Sequence, residues 1–518
     1  MNNQRESWST RIGVVLAVAG SAVGLGNFLR FPVQVAQNGG GAFMIPYFIA
    51  FLLLGIPLCW VEWTMGRYGG RFSHGSAPGI FQAMWRHPVA KYIGSIGLLG
   101  PLLIFFYYCY VESWTLGYAW FSLTGKLTQE PSRESLTLFL RNYQGVTEGS
   151  SVKTAYIFFL ITFAANFGII YYGVSRGIER VSKVAMPILA VMGVLLAIRV
   201  LTLGTPDPAH PEWNVNNALG FMWNPDFKQL AQTKIWLAAA GQIFFTLSVG
   251  IGVILTYASY LKKKDDVALS SLSSASTNGF MEVIIGGSVV IVAAAVFFGG
   301  MGAQEVAKTG SFGLGFVTMP LIFSKIFGGQ FFCLIWFLLL FIAGVTSSIS
   351  ILQPMISFLE DEFGISRRNS ISVLAVVCFI MSQFSIFGIK YGLLDELDFW
   401  GGTFMLVFFG FIEVMIFAWI FGIDRGWKEL NLGSYIKIPK FYKFVIKYVT
   451  PLYVGIILVT WLYQEGTNVI LMKSYTDPTT RDMVMMIRFI MIGFLVMLCV
   501  MIKIAWQLHK RRESMEGR

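Results

Sequence analysis

Apolar residues run along this chain in blocks of twenty or more, and the polar residues collect in the gaps between them. A helix needs roughly 20 residues to cross about 30 Å of hydrocarbon. Blocks at 12–36, 42–66, 92–122, 154–173, 182–203, 236–261, 275–301, 331–358, 370–389, 399–422, 445–464 and 484–507 meet that requirement. The pattern predicts twelve membrane-spanning helices, numbered span 1 to span 12 in chain order, in an all-α polytopic membrane protein forming one domain over residues 1–518. Polar stretches at 124–152 and 204–233 are predicted loops. The Gly-rich stretch 302–329 is long for a connection, and either a lid that folds back or an unstructured loop would satisfy it.

Composition agrees with the pattern. Hydrophobic residues make up 55% of the chain and charged residues only 13%, whereas a soluble domain carries about 25% charge. A surface this poor in charge suits lipid, because a helix satisfies its own backbone groups. The net charge of +11 would suggest nucleic acid in a soluble protein. Here it follows from basic residues gathering in cytoplasmic loops, so no nucleic-acid partner is expected. With the N-terminus inside, most of the 39 Lys and Arg fall on inner segments, including Lys262–Lys264 and the tail from Lys503. This predicts a multi-pass protein of the cell (plasma or inner) membrane with both termini cytoplasmic. All five cysteines lie within apolar runs, which disfavours a disulfide framework, and the four histidines fall in polar segments without metal-ligand spacing. No cleavable signal pattern precedes the first block. Lipid is an expected partner, and a homodimer is left open.

Two spans carry glycines in mid-membrane, where a helix is weakest. Span 1 contains Gly20, Gly24 and Gly26, followed by Asn27, and span 6 contains Gly250 and Gly252 after Thr246 and Ser248. They open two successive blocks of five spans. Paired interruptions at corresponding positions point to inverted repeats with a site at the midplane. The same glycines also suit close helix packing, and pattern alone does not separate the two readings. A broken helix would free carbonyls for a hard cation and N–H groups for a carboxylate. Charged residues within apolar runs, among them Glu62, Glu112, Glu282, Asp398 and Glu413, are costly and usually functional. An ion channel would need symmetric subunits or a charged ring, and a membrane enzyme a nucleophile–base pair or metal set. Neither is visible, so no enzymatic activity is expected. A membrane sensor that binds an amino acid without moving it is the remaining rival.

The run Gly20–Pro32, with Gly-Leu-Gly-Asn-Phe-Leu-Arg-Phe-Pro, resembles the neurotransmitter:sodium symporter family, and in particular its bacterial leucine-transporting branch. Supporting segments are Asn38–Phe43, Tyr107-Tyr108, Gly241–Gly252, Thr346-Ser347-Ser348 and Asp395–Trp400, spread over nearly the whole chain. The resemblance implies a 5+5 inverted repeat with broken helices 1 and 6. The first repeat would cover about 11–203 and the second about 236–422, with two extra helices over about 440–508. It implies a sodium-coupled symporter that imports a hydrophobic L-amino acid, aliphatic or aromatic, by alternating access.

Two Na⁺ sites come with that resemblance. The first would use Ala22, Asn27, Thr246 and Asn278 together with the substrate carboxylate. The second would use carbonyls of Gly20, Val23 and Ala343 and hydroxyls of Thr346 and Ser347. Tyr108 and the N–H groups of Leu25 and Gly26 would hold the substrate carboxylate. Carbonyls of Ala22, Phe245 and Thr246, with the Ser248 hydroxyl, would take its ammonium group. Ser21, Ile104, Phe245, Ser248, Ile251, Ser347 and Ile351 would surround the side chain. Gly24 stands where monoamine-carrying relatives place an aspartate, which favours a substrate bringing its own carboxylate. Ile251 stands for a phenylalanine of the leucine transporter, Ile104 for a valine and Ser21 for an asparagine, so the preferred side chain is open, with branched aliphatics favoured. Arg30 and Asp398 match an outer gate with Phe245 as lid, and Arg5 and Asp361, assisted by Trp8, Ser259 and Tyr260, an inner one. Glu282 replaces a serine of chloride-dependent relatives, which implies chloride-independent transport.

Overall fold

The computed structural model describes residues 6–127 and 131–515, and every regular element among them is a helix. Ten continuous helices among the described residues are long and apolar enough to cross a bilayer. They are Gly41–Gly70 (span 2), Ala90–Leu123 (span 3), Lys153–Tyr171 (span 4), Val174–Leu201 (span 5) and Val267–Ala307 (span 7). Gly329–Phe363 (span 8), Arg367–Phe387 (span 9), Leu393–Ile420 (span 10), Phe441–Ile470 (span 11) and the helix from Pro478 (span 12) complete the set. Each overlaps the apolar block predicted for it, with ends that differ by a few residues. The two remaining crossings are built from half-helices. Span 1 consists of Arg11–Ala22 and Leu25–Gln37, which meet at 48°. Span 6 consists of Thr233–Thr246 and Val253–Ser259, with residues 247–252 unwound between them.

The helices sort into an inner and an outer layer. In spans 3 and 7, 78% of the most apolar stretch is buried, against 22% in span 12. Lipid is as apolar as a leucine side chain, so hydrophobicity alone cannot decide which helix goes inside. The inner helices carry the small and polar residues that allow close approach, such as Gly344 and Ser348 of span 8. Spans 4, 5, 11 and 12 turn Ile157, Ile188, Leu452 and Phe489 outward.

The predicted loops hold structure. Stretch 124–152 contains the helix Arg133–Tyr143, capped by the Ser132 hydroxyl, which accepts the Ser135 N–H at 3.1 Å. Stretch 204–233 contains the helix Val215–Trp223. The Gly-rich stretch 302–329 folds back as an apolar helix, Gly310–Ser324, which excludes the unstructured alternative. It is held by the Trp336 indole N–H, which donates to the Gly315 carbonyl at 3.1 Å. It also presses on span 1: a methyl at Gly315 would lie 2.2 Å from Leu29 Cδ2. On the opposite face Trp8 plugs the bundle, donating to the Tyr257 carbonyl at 2.8 Å and meeting the Tyr257 ring edge-on.

Candidate functional site

The two interruptions face each other. Span 1 unwinds at Val23 and Gly24, and the second half-helix restarts at Leu25. A helix start leaves its first N–H groups without helical partners. The Asn27 side chain accepts the Gly24 N–H at 3.0 Å, and the Leu25 N–H points to the Tyr108 hydroxyl at 3.5 Å. In span 6, Gly250 and Gly252 adopt φ of +75° and +85°. A Cβ at Gly250 would sit 2.0 Å from the Leu406 carbonyl oxygen, and one at Gly252 2.6 Å from that of Gly97, so neither position admits a side chain. Ser248 also has positive φ, +53°, a strained conformation for a residue other than glycine. Its hydroxyl donates to the Ser21 carbonyl at 3.2 Å, tying the unwound stretch of span 6 to span 1. The Gly250 N–H donates to the buried Glu62 carboxylate at 2.6 Å.

A cavity lies between the breaks. All the residues predicted to touch substrate line it: Ser21, Ala22, Leu25, Gly26, Ile104 and Tyr108 from spans 1 and 3, Phe245, Thr246, Ser248 and Ile251 from span 6, and Ser347 and Ile351 from span 8. The lining also includes Tyr107, Val253, Gly402 and Leu406, which were not anticipated. Tyr107 directly precedes Tyr108 in span 3. Gly402 lies just beyond the Asp395–Trp400 segment, and nothing local marks it.

The predicted cation ligands form two groups of neutral oxygens. In the first, Asn27 Nδ2 donates to Asn278 Oδ1 at 2.8 Å, and Asn278 Nδ2 donates to the Thr246 hydroxyl at 2.9 Å. In the second, the Ser347 hydroxyl points at the Ser21 and Gly20 carbonyls at 3.0 and 3.5 Å, and the Thr346 hydroxyl donates to the Ala343 carbonyl at 3.1 Å. Gly20 approaches Thr346 so closely that an added Cβ would be 3.3 Å from Thr346 Cβ. Val23 lies at the adjoining break in span 1. Oxygen-only, uncharged donor sets of this kind suit a hard monovalent cation.

The gate residues are placed differently from a simple ion pair. Arg30 lies over the Phe245 ring, with Cζ 4.2 Å from its centroid. Asp398 instead accepts a hydrogen bond from the Tyr107 hydroxyl. Among the described residues these two charges are not joined directly, because each is already occupied by an aromatic residue of the cavity wall. On the opposite face, Arg5 lies outside the described residues. Asp361 accepts from the Ser357 hydroxyl at 2.9 Å, the Ser259 hydroxyl donates to the Thr256 carbonyl at 2.6 Å, and Tyr260 accepts from Gln353 at 2.8 Å. Glu282 is fully buried and accepts from the Tyr47 hydroxyl and, at 2.5 Å, from Gln242.

A helical membrane fold in which two broken helices enclose a buried cavity between opposed polar faces defines a membrane transporter. Comparison with known proteins carries this further. The profile of the sodium:neurotransmitter symporter family matches residues 5–138 and 132–510. A sodium-dependent transporter of Methanocaldococcus jannaschii is 30% identical over 475 residues, covering 90% of this chain and 92% of its own. The sodium-dependent serotonin transporter of Drosophila melanogaster is 27% identical over 488 residues, covering 87% of this chain and 75% of its own. The crystal structure of MhsT in complex with L-phenylalanine superposes with a TM-score of 0.75 at 29% identity, covering 88% of this chain and all of that one. The chain belongs to the sodium:neurotransmitter symporter family, and it is a sodium-coupled transporter, not an enzyme.

Proposed function

We propose that this protein is a symporter that imports a hydrophobic L-amino acid, aliphatic or aromatic, together with two sodium ions and without chloride. The observation that carries this reading is the cavity lining. It is mostly apolar and holds no charged side chain, yet both broken helices expose main-chain groups to it. Helix-start N–H groups at Leu25 and Gly26, with the Tyr108 hydroxyl, suit a carboxylate. Carbonyls of Ala22, Phe245 and Thr246, with the Ser248 hydroxyl, suit an ammonium group. Ile104, Ile251 and Ile351 then meet the side chain. Gly24 gives the cavity no protein carboxylate, so the substrate brings its own. That carboxylate completes the first sodium shell around Asn27, Thr246 and Asn278, and Gly20, Val23, Ala343, Thr346 and Ser347 hold the second ion.

Alternating access follows from the two polar faces. On the Arg30 face, which the distribution of basic residues makes extracellular, Phe245 closes the cavity beneath Arg30. On the Trp8 face, which is then cytoplasmic, the N-terminal segment and the Asp361 region must part to release cargo. Glu282 supplies the negative charge that chloride provides elsewhere in the family. Uptake of a panel of radiolabelled amino acids into proteoliposomes, with inward sodium or potassium gradients, tests the whole reading. Saturable, sodium-dependent accumulation of aliphatic or aromatic amino acids is expected. Binding without accumulation would support the sensor instead.

A further inference from the structure

Span 12 lies outside both predicted repeats, yet each of its ends is bonded beside a gate acid. It runs as an unbroken helix from Pro478 to Met515. Near one end Arg488 forms an ion pair with Glu396, whose side chain is only 4% exposed. The same carboxylate accepts the Trp400 indole N–H at 2.7 Å and the Tyr475 hydroxyl at 3.0 Å, while Arg488 also donates to the Ile470 carbonyl at 3.1 Å. Glu396 stands in the first helical turn of span 10, two residues before Asp398. Near the other end His509 Nε2 lies 3.1 Å from Glu362 Oε2, and His74 Nδ1 lies 2.7 Å from Glu362 Oε1. Trp506 stacks on the His74 ring with centroids 6.0 Å apart. The Glu362 side chain is fully buried and directly follows Asp361. At a rise of about 1.5 Å per residue, the two attachments are roughly 30 Å apart.

Exposed ion pairs contribute little, but stripping the partner from a buried carboxylate is strongly destabilising. The Arg488–Glu396 pair is therefore not released easily, and at the other end His509 shares the buried Glu362 with His74. A helix resists compression along its axis. Movement of the turn at Glu396 relative to the end of span 8 must carry span 12 with it or break one attachment.

We propose that Glu396 and Glu362 are positioning residues for the outer and inner gate acids, and that span 12, through Arg488 and His509, joins them so that loosening one gate is felt at the other. The inference rests on reading Asp398 and Asp361 as gate residues. It is tested in the full-length protein in proteoliposomes, with the native cysteines replaced and a single reporter introduced. Ala238→Cys reports on the cavity beside Arg30, and Leu261→Cys on the cavity beside Trp8. The rate of reaction with a membrane-impermeant maleimide, applied from the matching side, is measured with and without sodium. In the parent protein sodium should shift the two rates in opposite directions; if neither responds, the gate reading itself fails. Given that response, Arg488→Gln should alter the Leu261→Cys rate on the far side by about fivefold, and His509→Gln the Ala238→Cys rate likewise. The double variant should exceed neither single one. Changes confined to the variant's own side, or no change, overturn the proposal. Tyr475→Phe removes one hydrogen bond from Glu396 and leaves every charge in place. It should give the same cross-membrane effect at smaller amplitude, so the proposal stays testable even where Arg488→Gln does not fold.

Discussion

At the scale of single residues, the relay from Gly24 through Asn27 and Asn278 to Thr246 joins both broken helices to span 7 by consecutive hydrogen bonds of 2.8 to 3.0 Å. Removing one buried amide leaves its neighbours unpartnered at a cost of about 1–3 kcal/mol. Asn27→Ala or Asn278→Ala should therefore weaken sodium and amino-acid binding together, each by roughly 10- to 100-fold, as read by scintillation-proximity binding. Loss of one ligand without the other would contradict a shared site. Ile251 occupies the cavity wall where extra volume would press directly on the substrate side chain. Ile251→Phe should cost the largest substrates roughly 10- to 100-fold in kcat/KM and leave small aliphatic ones least affected, a size selection expected when a pocket loses the space of a methylene or more. Glu282 is held by two donors, Tyr47 and Gln242, in a fully buried position. Glu282→Ser would leave those donors facing a neutral gap, which is costly unless an anion enters. Uptake by that variant should rise severalfold on adding chloride, and identical uptake in chloride-free medium would count against the assignment.

At the scale of elements, the break in span 6 depends on backbone that only glycine can supply. A Cβ at Gly250 would collide with the Leu406 carbonyl, while Gly241, in the helical half of the same span, has open space around it. Gly250→Ala must pay about 1–3 kcal/mol for its left-handed conformation and also displace span 10. It should abolish sodium-dependent binding, whereas Gly241→Ala should leave binding intact and gain up to about 1 kcal/mol in helix propensity. Thermal melting of the two purified variants, beside the binding assay, separates these outcomes. Glycines mark both breaks in the sequence but suit close packing equally, and only in span 6 does a positive φ require them; the spans were legible because lipid demands unbroken apolar length. Ser248 is less legible, since a serine at positive φ leaves no mark in composition. The helix Gly310–Ser324 forms despite a Gly-rich stretch because it packs on Leu29 and Trp336, a tertiary contact that overrides local preference. Arg488 and His509 looked like ordinary basic residues because their partners lie 92 and 147 positions away.

At the scale of the whole molecule, two separate oxygen clusters flank one cavity, one around Asn27, Asn278 and Thr246 and the other around Gly20, Thr346 and Ser347. If each holds a sodium ion that must travel with the substrate, the number of clusters sets the steepness of the amino-acid gradient the protein can sustain. A tenfold sodium gradient stores about 1.4 kcal/mol per ion, a factor of ten in any ratio coupled to it. One coupled ion balances a roughly tenfold amino-acid gradient, and two balance a roughly hundredfold one, at zero membrane potential. The balance point can be found without waiting for accumulation, which leaks would blunt. Vesicles are loaded with graded internal amino acid under a fixed tenfold sodium gradient and clamped at zero potential, and the ratio at which net flux vanishes is read. Two functioning sites place that ratio near 100. A value near 10 would mean that one cluster is structural and only one ion is coupled. An inside-negative potential should then raise the balance ratio further, since each net positive charge moved through 100 mV adds about 2.3 kcal/mol. The size of that increase reports the net charge moved with each amino acid.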